Sequence, residues 1–200
     1  MEQIIEIKRK QFTVLEDINE HSRKVSRKGK TFLFRSFKND DEFETYIDNS
    51  NKLKNNGIHV PKLYVYDKKT LVLVEEFIEG KNVFNILLEK PLPEDILDQA
   101  FYMNWFMKSG RFCIDFTPDN FIYSNNGILY YIGIEKMFSF DESKTLEKKP
   151  IFLWFYGRDF VELLKQRGIA IDRDRFNPDD SAQQAALNKE IALAVVKFYR

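Results

Sequence analysis

The segment Asp115-Phe116-Thr117-Pro118-Asp119-Asn120 sets a carboxylate and a carboxamide five positions apart on what reads as one loop. Phosphoryl transfer asks little covalent help of a protein. It needs the phosphates held by backbone and a cation, a metal held by acidic and amide side chains, and a carboxylate beside the attacking hydroxyl. Asp115 is of the type that accepts the proton, and Asn120 of the type that reaches a metal. Taken alone, the pattern is equally served by a Pro-Asp-Asn turn whose side chains cap local backbone. The elements that would position the loop therefore carry the argument.

The first third of the chain reads as strands: Gln11 to Asp17 and Ser22 to Ser26 flank a polar stretch, and Lys28-Gly29-Lys30 turns into Thr31 to Phe37. These three make an antiparallel meander. Asn39-Asp40-Asp41 then reads as a helix start, with Asn39 as cap and acids favoured by the dipole. The spacing of Phe43, Tyr46, Ile47 and Leu53 predicts a helix that stops at Asn55-Asn56-Gly57. Two further strands, Lys62 to Asp67 and Thr70 to Phe77, precede the break at Glu79-Gly80-Lys81-Asn82.

Beyond that break a helix is predicted from Leu92-Pro93-Glu94-Asp95 through Trp105 to Lys108, with Pro at an early position. The Asp115–Asn120 loop follows it. Phe121 to Tyr123 and Ile128 to Ile132 form a hairpin around Asn126-Gly127, a strong turn signal. The remainder is predicted mostly helical, from about Phe152 to Gln166 and from Ser181 to Tyr199. The aromatic cluster around Trp154 reads as core, and the polar stretch Phe138 to Phe152 as an exposed loop.

At 200 residues the chain can bury roughly 70% of its unfolded surface without a disulfide or metal staple. Acidic and basic residues balance at 31 each, which gives no reason to expect nucleic acid or an anionic membrane as a partner. With 19 Phe and 9 Tyr, most aromatics must be core. Cys113 is the only cysteine, so an internal disulfide and a cysteine-rich zinc site are excluded, and a buried thiol is expected. The two histidines, His21 and His59, read as surface or packing residues. The N-terminal MEQIIEIKRK lacks a signal-peptide core, and no run approaches the roughly 18 apolar residues of a membrane span, so a cytoplasmic location is expected.

The order of three strands, a helix, two strands, a short linker and a long helix, followed by the Asp115–Asn120 loop, resembles the protein kinase-like superfamily. The style is that of compact bacterial members such as lipopolysaccharide (Kdo or heptose) kinases and RIO-type kinases. The resemblance runs from about Gln11 to Phe140. It is carried by Phe32-Leu33-Phe34-Arg35-Ser36-Phe37, Asn56-Gly57-Ile58-His59-Val60-Pro61-Lys62-Leu63, Val74-Glu75-Glu76-Phe77-Ile78-Glu79-Gly80, Asp115 to Phe121 and Leu129 to Glu135.

The resemblance implies an α+β, two-lobed kinase-like fold. Residues 1–80 would be a small antiparallel-sheet lobe with one helix and the hinge, and residues 81–200 a reduced, mostly helical lobe. It implies ATP and magnesium as cofactors, a hydroxyl compound or protein Ser/Thr as phosphate acceptor, Asp115 as base and Asn120 as metal ligand. Glu44 would pair with the phosphate-binding cation, and Glu75, Glu76 and Phe77 would line the adenine site.

The chain also departs from that family. The strand position that holds a phosphate-binding lysine is Arg35, whose planar fork differs in reach from a compact ammonium, and Lys38 and Lys30 are the alternative cations. The position of the metal-binding Asp is Gly133. Losing one preorganised stabilising group costs roughly 100- to 1,000-fold in rate. Glu135, on the same strand face about 6.5–7 Å along, is the candidate substitute metal ligand. Cys113 replaces a structural histidine, and Ile18 to Ser22, with Arg23, Lys24, Arg27 and Lys28 nearby, stands where a Gly-rich phosphate loop is expected. Three functions stay open on these residues: an active kinase, a pseudokinase scaffold working through nucleotide or protein partners, and an interaction domain unrelated to kinases.

Overall fold

The computed structural model describes residues 3–199. They form two compact units, residues 3–79 with 130–135 and residues 80–129 with 136–199.

The first unit is built on a six-stranded antiparallel sheet of β1 (Ile4–Ile7), β2 (Lys10–Asn19), β3 (Ser22–Arg27), β4 (Lys30–Ser36), β5 (Leu63–Asp67) and β6 (Val72–Glu76). The strand order is β1-β2-β3-β4-β6-β5, and the sheet curls so that β1 approaches β5. Ile7, Phe12, Val25, Phe34 and Val74 pack as its core, and Phe12, Phe32 and Tyr64 make edge and tilted ring contacts beside them.

Strand β1 was not predicted from sequence. The turn that joins it to β2 takes its two positive-φ positions from Lys8 (46°) and Arg9 (65°), residues that carry no turn signal. The turn into β4 uses Lys28 (49°) and Gly29 (71°), which is the signal the sequence does show.

Helix α1 (Asp40–Asn55) starts where expected. The Asn39 side chain accepts from the Glu42 N–H at 2.9 Å, and Phe43, Tyr46, Ser50 and Leu53 face inward at spacings of three and four. It ends in a left-handed Gly57 (φ 83°), with Gly57 N–H donating to Lys54 O and Ile58 N–H to Leu53 O. This is the Schellman arrangement, which satisfies the last carbonyls.

The second unit begins with β7 (Gly80–Asn82), which pairs with β9 (Phe121–Ser124). Gly80 is required here by close approach: a Cβ would lie 2.3 Å from the Tyr123 carbonyl oxygen. Helix α2 (Val83–Glu89) follows, capped by the Asn82 side chain on Phe84 N–H at 2.9 Å. At seven residues, with Val83, Phe84, Ile86 and Leu87 all buried, it has too little periodicity to be read from sequence. Helix α3 (Glu94–Ser109) buries Ile96, Ala100, Phe101, Met103, Asn104 and Met107.

Strand β8 (Phe112–Ile114) leads into the Asp115–Asn120 loop. The hairpin after β9 turns at Gly127 (φ 75°), and β10 (Leu129–Tyr131) carries the chain to the stretch 130–135 that joins the first unit. There Tyr131 N–H donates to His59 O, and the Asn49 side chain donates to Ile134 O at 3.0 Å. Strand β11 (Met137–Ser139) returns to the second unit and pairs antiparallel with β8.

Two expectations for the end of the chain are corrected. The helix expected from Phe152 to Gln166 is broken: a 3-10 turn, Lys149–Trp154, precedes α4 (Arg158–Gln166), because Gly157 caps the helix in extended conformation. The segment 138–152 is also anchored where an exposed loop was expected. Thr145, Leu146 and Ile151 are buried, and Leu146 N–H donates to the Asn104 side chain at 2.8 Å. Helix α5 (Ser181–Phe198) starts at Asp180, whose carboxylate caps Ala182 and Gln183. Among the described residues no helix is long and apolar enough to cross a membrane.

Candidate functional site

The loop residues sit on a rigid base in the second unit. Buried Phe116 stacks on Phe121 at 5.8 Å, and Trp154 meets Phe121 edge-on at 5.0 Å while its indole N–H donates to Phe116 O at 2.7 Å. Pro118–Asn120 forms a single 3-10 turn, with Asn120 N–H donating to Thr117 O. This places the loop's carboxylate and amide without dependence on flexible surface.

Asp115 is half-buried. Its Oδ1 accepts from the Thr117 N–H at 2.9 Å and from the Thr117 hydroxyl at 2.6 Å, and its Oδ2 lies 3.7 Å from the Lys136 ammonium. Burial raises its pKa, but the Thr117 donors, Asn120 and Lys136 together outweigh burial, so the carboxyl is held below its usual range. Asn120 is buried. Its Nδ2 donates to Asp115 O at 3.1 Å, which turns Oδ1 toward Lys136, whose ammonium donates to it at 3.1 Å. The second acid of the loop, Asp119, makes a bidentate pair with Arg167.

Lys136 was not singled out in the sequence. It is brought in by the β8–β11 register, in which Met137 pairs with Ile114 and Asp115 N–H donates to Lys136 O at 3.2 Å. Residues 115 and 136 are therefore the next opposed positions. A lysine directly after Glu135, the candidate substitute ligand, one strand away from the loop, was the available signal.

Asp115 and Thr117 line a cleft of about 880 Å³ in this unit. Its walls include Ile114, Phe116 and Leu153, with Lys144, Lys149 and Arg158 among the charged residues. An apolar wall with a few convergent polar groups is the usual make-up of a small-molecule site.

The first unit places the other expected site residues. Arg35, on β4, donates from Nε to Glu75 Oε1 at 2.7 Å, and the Tyr46 hydroxyl lies 2.8 and 2.9 Å from the two Glu75 oxygens. Glu75 is 1% exposed. Burial lowers the Arg35 pKa, but Tyr46, Glu75 and Glu135 outweigh it, so the guanidinium holds its proton more tightly than usual. Burial drives the Tyr46 hydroxyl up, and the Glu75 charge adds to it. The carboxylate that meets the β4 cation thus comes from β6.

Glu44 lies exposed on the outer face of α1 and pairs with Lys68. Tyr46, two residues on, is the α1 residue that faces Arg35. Glu76 is exposed, and its N–H is engaged by Lys62 O at 2.9 Å. The Phe77 ring lies under the Lys24 ammonium at 4.6 Å. Glu135 is exposed and, with His21, Ser22, Arg35, Lys38 and Tyr46, borders a cleft of about 500 Å³.

These residues do not fit a magnesium ion. The amide oxygen of Asn120 that would coordinate it faces an ammonium, and Gly133 offers no side chain. A dication about 4 Å from that ammonium is opposed by about 2 kcal/mol in water and about 8 kcal/mol at a protein surface. Among the described residues no three His, Cys, Asp or Glu side chains converge to hold a metal. Cys113, fully buried, accepts from Asp141 N–H and donates to Asp141 O, as an inert packing thiol does.

No family model matches the chain, and no curated protein matches it. Many solved structures do. One is WbdD in co-crystal with a kinase inhibitor, similar at a TM-score of 0.58 and 14% identity over 94% of this chain and 47% of that one. The chain spans about half the length of that structure. A likeness at this identity is one of fold, and the fold is kinase-like: a curled antiparallel sheet with one helix in one unit, and a mostly helical second unit.

Proposed function

We propose that the chain is a kinase-like phosphotransferase domain in which Asp115 is the base and a small hydroxyl compound is the acceptor. The observation that carries this is Asp115 itself. It is kept ionised by Thr117 and Lys136, and it lines a large, mostly apolar cleft. An ionised carboxylate half-exposed in such a cleft is placed to receive a proton from a bound hydroxyl. The donor is ATP, in keeping with the kinase-like fold.

In the step we assign, Asp115 takes the acceptor's hydroxyl proton as that oxygen bonds to the γ-phosphorus. The bond from the γ-phosphorus to the bridging oxygen breaks and ADP leaves with the electron pair. The Lys136 ammonium stands 3.7 Å from the base, and its charge offsets that of the transferring group.

Incubation of the chain with ATP and a panel of sugars, followed by measurement of ADP release, tests the assignment. Stimulation by one acceptor, reduced about 100-fold or more in Asp115→Asn, is the expected result. Acceptor-independent release, or release that survives in Asp115→Asn, counts against it.

A scaffold function is the alternative, favoured by one observation. Arg35, expected to touch phosphate, is neutralised inside its own unit by Glu75. A chain that binds ATP without turning over any acceptor would have that function.

A further inference from the structure

We infer that the Lys136 ammonium is the cation this site sets against phosphate, in place of a divalent metal, so that ATP binding by this chain does not depend on magnesium. The inference rests on the nucleotide reading proposed above. Its basis is the way three groups of the second unit meet. The Asn120 amide cannot turn to offer its oxygen elsewhere without losing the 3.1 Å bond from its Nδ2 to Asp115 O. That oxygen, the one suited to coordinating a metal, already accepts from Lys136 at 3.1 Å. The same ammonium stands 3.7 Å from the base.

The backbone holds the lysine there. Asp115 N–H donates to Lys136 O, and the β8–β11 ladder continues from that bond. The Lys136 side chain remains 45% exposed, so its charge is accessible to a ligand. A half-exposed ion pair of this length contributes little to stability. The chemistry of the donor set points the same way: a glycine at position 133, an amide facing an ammonium, and a carboxylate already hydrogen-bonded by Thr117 suit a resident monocation better than a dication.

The test is calorimetric titration of the full chain with ATP, in EDTA and again in excess magnesium, for wild type, Lys136→Met and Lys136→Arg. Wild type is expected to bind with affinities that differ less than about threefold between the two conditions. Lys136→Met should bind about 10- to 100-fold more weakly in EDTA, the loss typical of one charge-assisted contact. Lys136→Arg, which keeps the charge, should stay within a few-fold of wild type.

Wild-type binding seen only with magnesium overturns the inference and leaves the proposed function standing. Lys136→Met binding like wild type in EDTA has the same consequence. No binding of millimolar ATP under either condition overturns both. Urea denaturation of each variant confirms that it is folded, and if Lys136→Met is not, the wild-type metal profile with Lys136→Gln decides.

Discussion

Arg35 and Lys136 are both cations beside a carboxylate, and the two pairs end in opposite environments. The Arg35 pair lies in the sheet unit, where Glu75 is buried, Arg35 is 23% exposed on its side chain, and Tyr46 meets both carboxylate oxygens. The Lys136 pair lies in the helical unit, half-exposed, with Asp115 lining a cleft. Burial is what separates them. A desolvated ion pair with every lone pair met is a specificity element that resists change. A solvent-facing pair costs little to open and can exchange partners with a ligand. The Arg35 charge is met by a buried carboxylate, and the Lys136 charge by a half-exposed one.

The contrast is broken most forcefully at Glu75. Glu75→Ala strands a buried guanidinium and should lower stability by about 3–5 kcal/mol in urea denaturation. Replacing the pair together, as Arg35→Met with Glu75→Leu, should recover most of that loss, because the penalty belongs to the unpaired charge. Recovery of neither stability nor cooperativity in the double variant would mean that the pair specifies the fold as well as neutralising itself.

A smaller effect sharpens the other side of the comparison. The Asp115 carboxyl titrates below its unfolded value, so the stability it contributes is present above the ordinary carboxylate range and is lost as pH falls through the folded pKa. Asp115→Asn should therefore be less stable than wild type at neutral pH, and the gap should close as pH falls below about 4. A gap that is constant with pH would place the effect in packing and not in charge. Least of all is expected from Glu44→Gln on the exposed face of α1, where the urea midpoint should not move measurably.

Much of the sheet unit was legible in the sequence because its signals are local. Asn39 announces α1, Gly57 ends it, and Gly29 marks the turn into β4. The parts that were not legible lack such signals. Strand β1 hangs on a turn whose positive-φ residues are Lys8 and Arg9, and α2 is too short and too buried to show a period. The phrase Val74-Glu75-Glu76-Phe77 places Glu75 at the adenine site by resemblance, and nothing in it points to a buried carboxylate. In the structure both Val74 and Glu75 are buried, one in the sheet core and the other against Arg35 and Tyr46, so a strict in–out alternation does not describe this strand.

The sequence by itself determined that the loop's carboxylate and amide stay near each other, since five residues on a proline-bearing turn leave them little room to part. It also determined that position 133 is a glycine and brings no side-chain ligand to that stretch. Only the tertiary structure decided which groups neutralise the two cations. Glu75 reaches Arg35 across the β4–β6 ladder, 40 residues away in the chain, and Lys136 reaches Asp115 and Asn120 across the β8–β11 ladder. Partners of that kind are set by strand register, and register depends on the packing of whole strands rather than on any residue's neighbours in the chain.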